Sequence, residues 1–183
     1  MRKPASQDLP LFLRRFTEGD SPPRWSQAAL GLQVFSEGLD PVSTLVQIPE
    51  EAKRLILKAD SVVLIGSVNG KGVPNISPRF VLGFLGNEKL LFADAFKNKT
   101  YANLKVNKQV TAAVVDRETM GGFQLKGDAK EVRDQQLVAR ANEQLRKFGF
   151  AIRPHKVWAL EVKEVYSLKP SSKSRLPLIS AYG

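Results

Sequence analysis

At 183 residues, with 43% hydrophobic and 25% charged side chains, the chain can bury one ordinary core with extensions, and no apolar run approaches the roughly 18–20 residues of a membrane-spanning helix. It has no cysteine and one histidine, His155, which excludes disulfides, thiol nucleophiles, iron–sulfur clusters and a histidine-rich metal site. The net charge of +10 lies in the body: residues 1–48 balance five basic against five acidic side chains, whereas from Arg146 onward eight basic residues face two acidic ones. Such an excess suits an anionic partner (a phosphate-bearing ligand, a nucleic acid or an acidic surface), or equally a plain solvated basic face.

Along the chain, residues 1–47 read as an irregular arm, interrupted by Pro4, Pro10, Pro22, Pro23 and Pro41. Its first ten residues are polar and the apolar cluster at 11–13 is too short for a secretory leader, so a cytoplasmic protein is expected. Pro49 opens a helix with Glu50 and Glu51 in its first turn, where the helix dipole favours acids, and with Ala52, Leu55, Ile56 and Ala59 on one face. Residues 61–68 are rich in β-branched side chains and read as a strand. Asn69-Gly70-Lys71-Gly72 is a hairpin turn, because Asn and Gly tolerate positive φ, and 73–82 is the return strand. A turn at Gly86-Asn87-Glu88 leads to a third strand, 89–94. Residues 100–107 read as a short helix, 109–116 as a strand, Gly121-Gly122 as a turn and 123–132 as a strand. Asp134 caps a helix with a stripe of Leu137, Val138, Ala141, Leu145 and Phe148, closed by Gly149. Trp158, Leu160 and Val162 alternate in a last strand, 156–168, and 169–183 form a Pro/Ser/Lys tail. The order predicts a mainly β fold with flanking helices, in which six short strands close into a split β-barrel, since closure removes exposed edges.

Three stretches bear chemistry. Lys99-Thr100 opens the short helix, whose first amides lack intrahelical acceptors; with the Lys99 charge and the Thr100 hydroxyl they can seat a phosphate, or Asn98 or Thr100 can simply cap the helix. Asn75, Ser77 and Arg79 alternate along the second strand and share one face, as a ligand floor or as the solvent side of a hairpin. Pro78 removes a ladder donor there, so the strand is an edge or bulges. Phe92, Ala93 and Asp94 end the third strand, where the backbone runs straight into the phosphate loop.

Four motifs together resemble the FMN-binding split barrels related to pyridoxamine phosphate oxidase: residues 72–79 (GVPNISPR), 90–94 (LLFAD), Lys99-Thr100-Tyr101-Ala102-Asn103-Leu104 with Asn107, and 122–127 (GFQLKG). They span residues 48–168 in the matching order. The resemblance implies a homodimer with FMN at each of two subunit interfaces. It implies that Lys99 and Thr100 meet the FMN phosphate, that Asn75, Ser77, Arg79, Phe92, Ala93 and Asp94 line the ribityl and ring side, and that Gln124 reaches the flavin from its strand. Trp158 is either a contact from the other subunit or a barrel-core aromatic. The Arg-rich strand and the C-terminal Arg/His signature of true pyridoxamine phosphate oxidase are missing, which sets vitamin B6 oxidation aside; no catalytic side chain is assigned.

The leading expectation is an FMN-dependent oxidoreductase acting on an unknown small substrate, with a nicotinamide nucleotide or another small anion as partner. A non-catalytic FMN carrier or electron-transfer module is the alternative. A β-barrel nucleic-acid binder draws on the +10 charge, but with aromatics at 8% the stacking platform for single strands is missing.

Overall fold

The computed structural model describes residues 45–58, 60–147, 154–170 and 176–182. The arm up to residue 44, Ala59 and the Phe148–Gly149 end of the third predicted helix lie outside the described residues. Val46 and Ile48 already pack in the core, and the Val46 amide donates to Val162 O, so the packed body includes the end of the stretch assigned to the arm.

Among the described residues, three helices and eight strands follow in order: α1 (Glu50–Leu57), β1 (Leu64–Val68), β2 (Pro74–Pro78), β3 (Phe80–Leu85), β4 (Lys89–Asp94), α2 (Lys99–Val106), β5 (Gln109–Val115), β6 (Gly122–Glu131), α3 (Gln135–Lys147), β7 (Lys156–Ser167) and β8 (Ile179–Ser180). Pro49 stands at the cap of α1, one place before the first helical residue, with Glu50 and Glu51 in the first turn as the dipole favours. Asp134 caps α3 through its carboxylate, which accepts from the Gln136 and Leu137 amides.

The strands pair antiparallel in the order β2-β1-β5-β6-β7-β4-β3. The two outermost strands of that order are consecutive in the chain, with Arg79 alone between them. Successive Cα atoms are about 3.8 Å apart, so the two edges of the sheet meet at this residue and the sheet is curled into a barrel. Counting β2 and β3 as one interrupted strand, β1 to β7 make the six strands expected. The interruption itself departs from the single strand expected over 73–82. Pro78 has no N–H to extend the ladder; the Arg79 amide makes a last bond to Val63 O, and at Phe80 the partner is already Ala93 of β4.

Two more expectations change. The tail is not free: β8 adds to β7 at Glu164 and Val165, beyond the stretch of β7 that β4 occupies, and Ala181 packs on the core. The β5–β6 turn is longer than Gly121-Gly122, because the Asp116 carboxylate gathers the Glu118 and Thr119 amides and Gly122 already pairs with Val115.

β4 is buried on both faces, which explains its unbroken apolar run. Leu90 and Phe92 point into the barrel with Ile65, Leu125, Trp158 and Leu160, while Leu91 and Ala93 point outward under α3, against Ala141 and Leu145. Where β6 crosses β7 the register shifts between Lys126 and Gly127, and a Cβ built on Gly127 would lie 1.8 Å from Glu161 O. Backbone cannot yield there as a side-chain tip can. Gly127→Ala is expected to destabilise the barrel by about 3 kcal/mol, whereas Gly70→Ala, whose added Cβ would have its nearest neighbour, Val106 Cγ2, 4.0 Å away, should stay within about 0.5 kcal/mol; urea unfolding of both variants measures this.

Candidate functional site

The closing point of the barrel and the start of α2 lie together. Asn98 is the N-cap: its side-chain oxygen accepts from the Tyr101 amide at 3.3 Å, and its carbonyl accepts from Ala102 N. Among the described residues the amides of Lys99 and Thr100, at the positive end of the helix dipole, have no acceptor, and of the two residues only Lys99 has surface open to solvent or a ligand. Lys99 is exposed beside them.

Thr100 is fully buried. Its hydroxyl accepts from Asn75 Nδ2 at 3.1 Å and shares a hydrogen bond with Ser77 Oγ at 3.0 Å. One turn on, Asn103 donates to the buried Ser67 hydroxyl at 3.0 Å. The polar face of β2 is therefore a socket for α2. It fixes where the helix begins, and the Thr100 hydroxyl is engaged inside the protein.

Arg79, at the seam, donates from Nη2 to the Asn98 side-chain oxygen at 2.8 Å and from Nη1 to Pro78 O at 2.7 Å. Its Nε lies 3.6 Å from Asp94 Oδ1; the two side chains are 8% and 0% exposed. Among the described residues, Arg79 Nε and both Asp94 carboxylate oxygens lack a well-formed hydrogen bond. Burial pushes the Asp94 carboxyl above the usual range, opposed first by the Arg79 charge, then by the Asn98 side chain and His155. Burial lowers the Arg79 guanidinium in turn, and Asp94 raises it. His155 closes the cluster: its amide donates to Asp94 O at 2.7 Å, and its ring meets the Tyr101 ring edge-on, centroids 4.9 Å apart.

The sequence-derived residues thus divide. Asn75, Ser77, Arg79, Asp94, Lys99 and Thr100 converge on the start of α2. Phe92 and Ala93 are fully buried, with their side chains in the two cores and their backbone paired to β3 and β7. Trp158 is a barrel-core aromatic. Gln124 lies on the other side of the sheet: it pairs with Ala113, which pairs with Leu64, on the outer face, whereas Ser77 pairs with the inward Ile65. Asn98 and His155 were not singled out as ligand-site residues. Asn98 was legible as a helix cap; nothing local marks His155, whose place depends on β7 lying beside β4.

The outer face carries a groove of about 370 Å³ lined by Gly66, Ile76, Thr111, Lys126, Lys163 and Tyr182 among others. Gly66 keeps it open, since a Cβ there would lie 2.5 Å from Thr111 Cγ2. Around it Leu64, Val73, Ile76 and Val115 are exposed, Ile76 by 69%.

A sequence model of the pyridoxamine 5'-phosphate oxidase family matches residues 48–169. Among solved structures, HupZ of Group A Streptococcus is similar at 23% identity with a TM-score of 0.59, over 68% of this chain and 96% of that one. An FMN-binding protein from Syntrophomonas wolfei is similar at 19% identity and TM-score 0.57, over 67% and 86%. A heme-binding protein from Mycobacterium smegmatis is similar at 21% identity and TM-score 0.51, over 67% and 55%. At these identities the structural likeness carries the fold alone. No curated protein matches the chain significantly.

The Thr100 socket yields a structural expectation. Thr100→Val keeps the shape but strands Asn75 and Ser77 without their partner, and should destabilise the protein by about 1–3 kcal/mol; Thr100→Ser, which keeps the hydroxyl, should lose less. Thermal unfolding of the pair distinguishes them.

Proposed function

Because this chain belongs to the pyridoxamine 5'-phosphate oxidase family, we propose that it is an FMN-binding flavoprotein that seats the FMN phosphate at the start of α2 and acts as an oxidoreductase on a small substrate. The observation that carries this reading is the start of α2, where the acceptor-free Lys99 amide and the exposed Lys99 ammonium stand beside the Asn98 cap that the nine-tenths-buried Arg79 holds. An oxyanion fits that set of donors, because amides and cations supply only hydrogens and positive charge. The Lys99 amide and ammonium, at the positive end of the α2 dipole, would hold the phosphate. The strand through Ser77 and Arg79 would carry the ribityl chain and ring. Flavin, when bound, supplies the hydride or electron chemistry; the protein holds and orients it and shields it from water.

Heme suits these residues less well. The chain's one histidine is His155, whose Nε2 is buried against the cluster, so it is not presented as an axial ligand.

The assembly belongs to the same reading. Leu64, Ile76 and Val115 form an exposed apolar face on β1, β2 and β5, next to the groove, and a second copy of the chain would cover it. Ile76→Arg is expected to turn a dimer into a monomer in light scattering without unfolding it; a wild-type monomer that binds FMN tightly would sink the shared-interface arrangement.

Flavin titration tests the cofactor. Lys99→Ala removes a charge-assisted contact of about 1.5–3 kcal/mol, which is roughly a 10- to 150-fold weaker affinity for FMN. Riboflavin lacks the phosphate and should be indifferent to the change. Equal losses for both ligands would mean that Lys99 does not meet the phosphate. Bound FMN with no turnover of reduced nicotinamide nucleotide selects the carrier over the oxidoreductase.

A further inference from the structure

The buried carboxylate beneath the phosphate seat has no counterpart in a simple anion site, where only positive groups are wanted. Asp94 is 0% exposed, and its nearest cation is the Arg79 guanidinium at 3.6 Å. That guanidinium is also the group that holds the Asn98 cap oxygen. One cation therefore serves two claimants: the carboxylate behind it and the helix start in front of it. The Asn98 side chain and His155 favour the charged carboxylate too, after Arg79. His155, ahead of β7, faces Asp94 with its backbone amide on the Asp94 carbonyl and its ring on Tyr101 of α2. Lys156, the cross-strand neighbour of Asp94, turns its ammonium to Glu131. Lys99 points out to solvent.

Resting on the reading above, we propose that Asp94 is a positioning residue that acts through Arg79 and Asn98, and that seating a phosphate dianion at the start of α2 places a proton on its carboxylate. A dianion introduced in front of Arg79 draws the guanidinium's charge forward and repels the carboxylate behind it. In a buried setting the least costly response is to neutralise that carboxylate. Burial already holds Asp94 above the usual carboxylate range, so the shift starts from a favourable point. The protonated carboxyl keeps its place beside Arg79, and the cap stays oriented toward the ligand.

The sign follows from linkage. A group whose pKa rises on binding takes up a proton, so the ligand binds more tightly as pH falls through the window between its free and bound values, by at most about tenfold per pH unit for one proton. Above pH 7 the FMN phosphate, with a second pKa of about 6, is largely dianionic and contributes little of its own.

The test is calorimetric titration of the full chain with FMN and with riboflavin between pH 7 and 8.5, in two buffers of different ionisation enthalpy, which counts the protons exchanged. Wild type should take up a fraction of a proton with FMN and none with riboflavin, and its FMN affinity should strengthen as pH falls while riboflavin's stays level. Asp94→Asn, which keeps the shape, should bind FMN without proton uptake and with a flat profile. No uptake by wild type, or equal uptake by wild type and Asp94→Asn, overturns the proposal. Should Asp94→Asn fail to fold, the wild-type profile decides: level FMN affinity overturns the proposal, and a slope confined to FMN supports it. If wild type binds no flavin, the cofactor reading fails separately, and titration with inorganic sulfate, a dianion across this pH range, decides this one by the same proton count.

Discussion

The barrel closes through one residue. β2 and β3 stand at opposite edges of the sheet's pairing order, yet they are neighbours in the chain, so the strand must change partners at Arg79. Proline at position 78 makes the change by ending one ladder, and the Ala93 pairing at Phe80 begins the other. A sheet joined to itself in this way has few free edges to protect, and the residue at the junction is set among neighbours from both halves. Arg79 consequently reaches the end of β4 and the cap of α2 together, and the rest of the candidate site is arranged around that reach.

The energetics at this junction do not favour the barrel's stability. Burying an ion pair sacrifices the hydration of both groups, and the attraction recovers it only when geometry is good and the remaining polar atoms are satisfied. Here the closest approach is 3.6 Å and both Asp94 oxygens lack a well-formed bond among the described residues. An apolar pair of similar size would hold the seam at least as well. The polar cluster is better understood as orienting Asn98, and through it the amides that open α2, than as a structural cross-link.

The two faces of the β1–β2 hairpin have separate tasks. Inward, Asn75 and Ser77 receive Thr100 and set the helix. Outward, Ile76 and its neighbours present apolar surface beside a groove that exists because position 66 has no side chain. Period-two alternation lets one strand of five residues do both, and a slip of one residue would exchange the faces entirely.

Local pattern and turn chemistry were enough to place the helices and most of the strands, because Pro49, Asn69-Gly70, Asp134 and the alternating Trp158–Val162 run act within a few residues of themselves. The start of α2 was legible for the same reason: a polar cap, then Lys99 and Thr100, is a sequence-local signal. The inward use of Thr100, the isolation of Gln124 on the far face, the docking of residues 179–180 on β7 and the inclusion of His155 were not. Each depends on which strands lie side by side, and strand pairing joins residues such as Asp94 and Lys156 that are far apart in the chain. Sidedness and burial follow from that pairing, and no local periodicity encodes it.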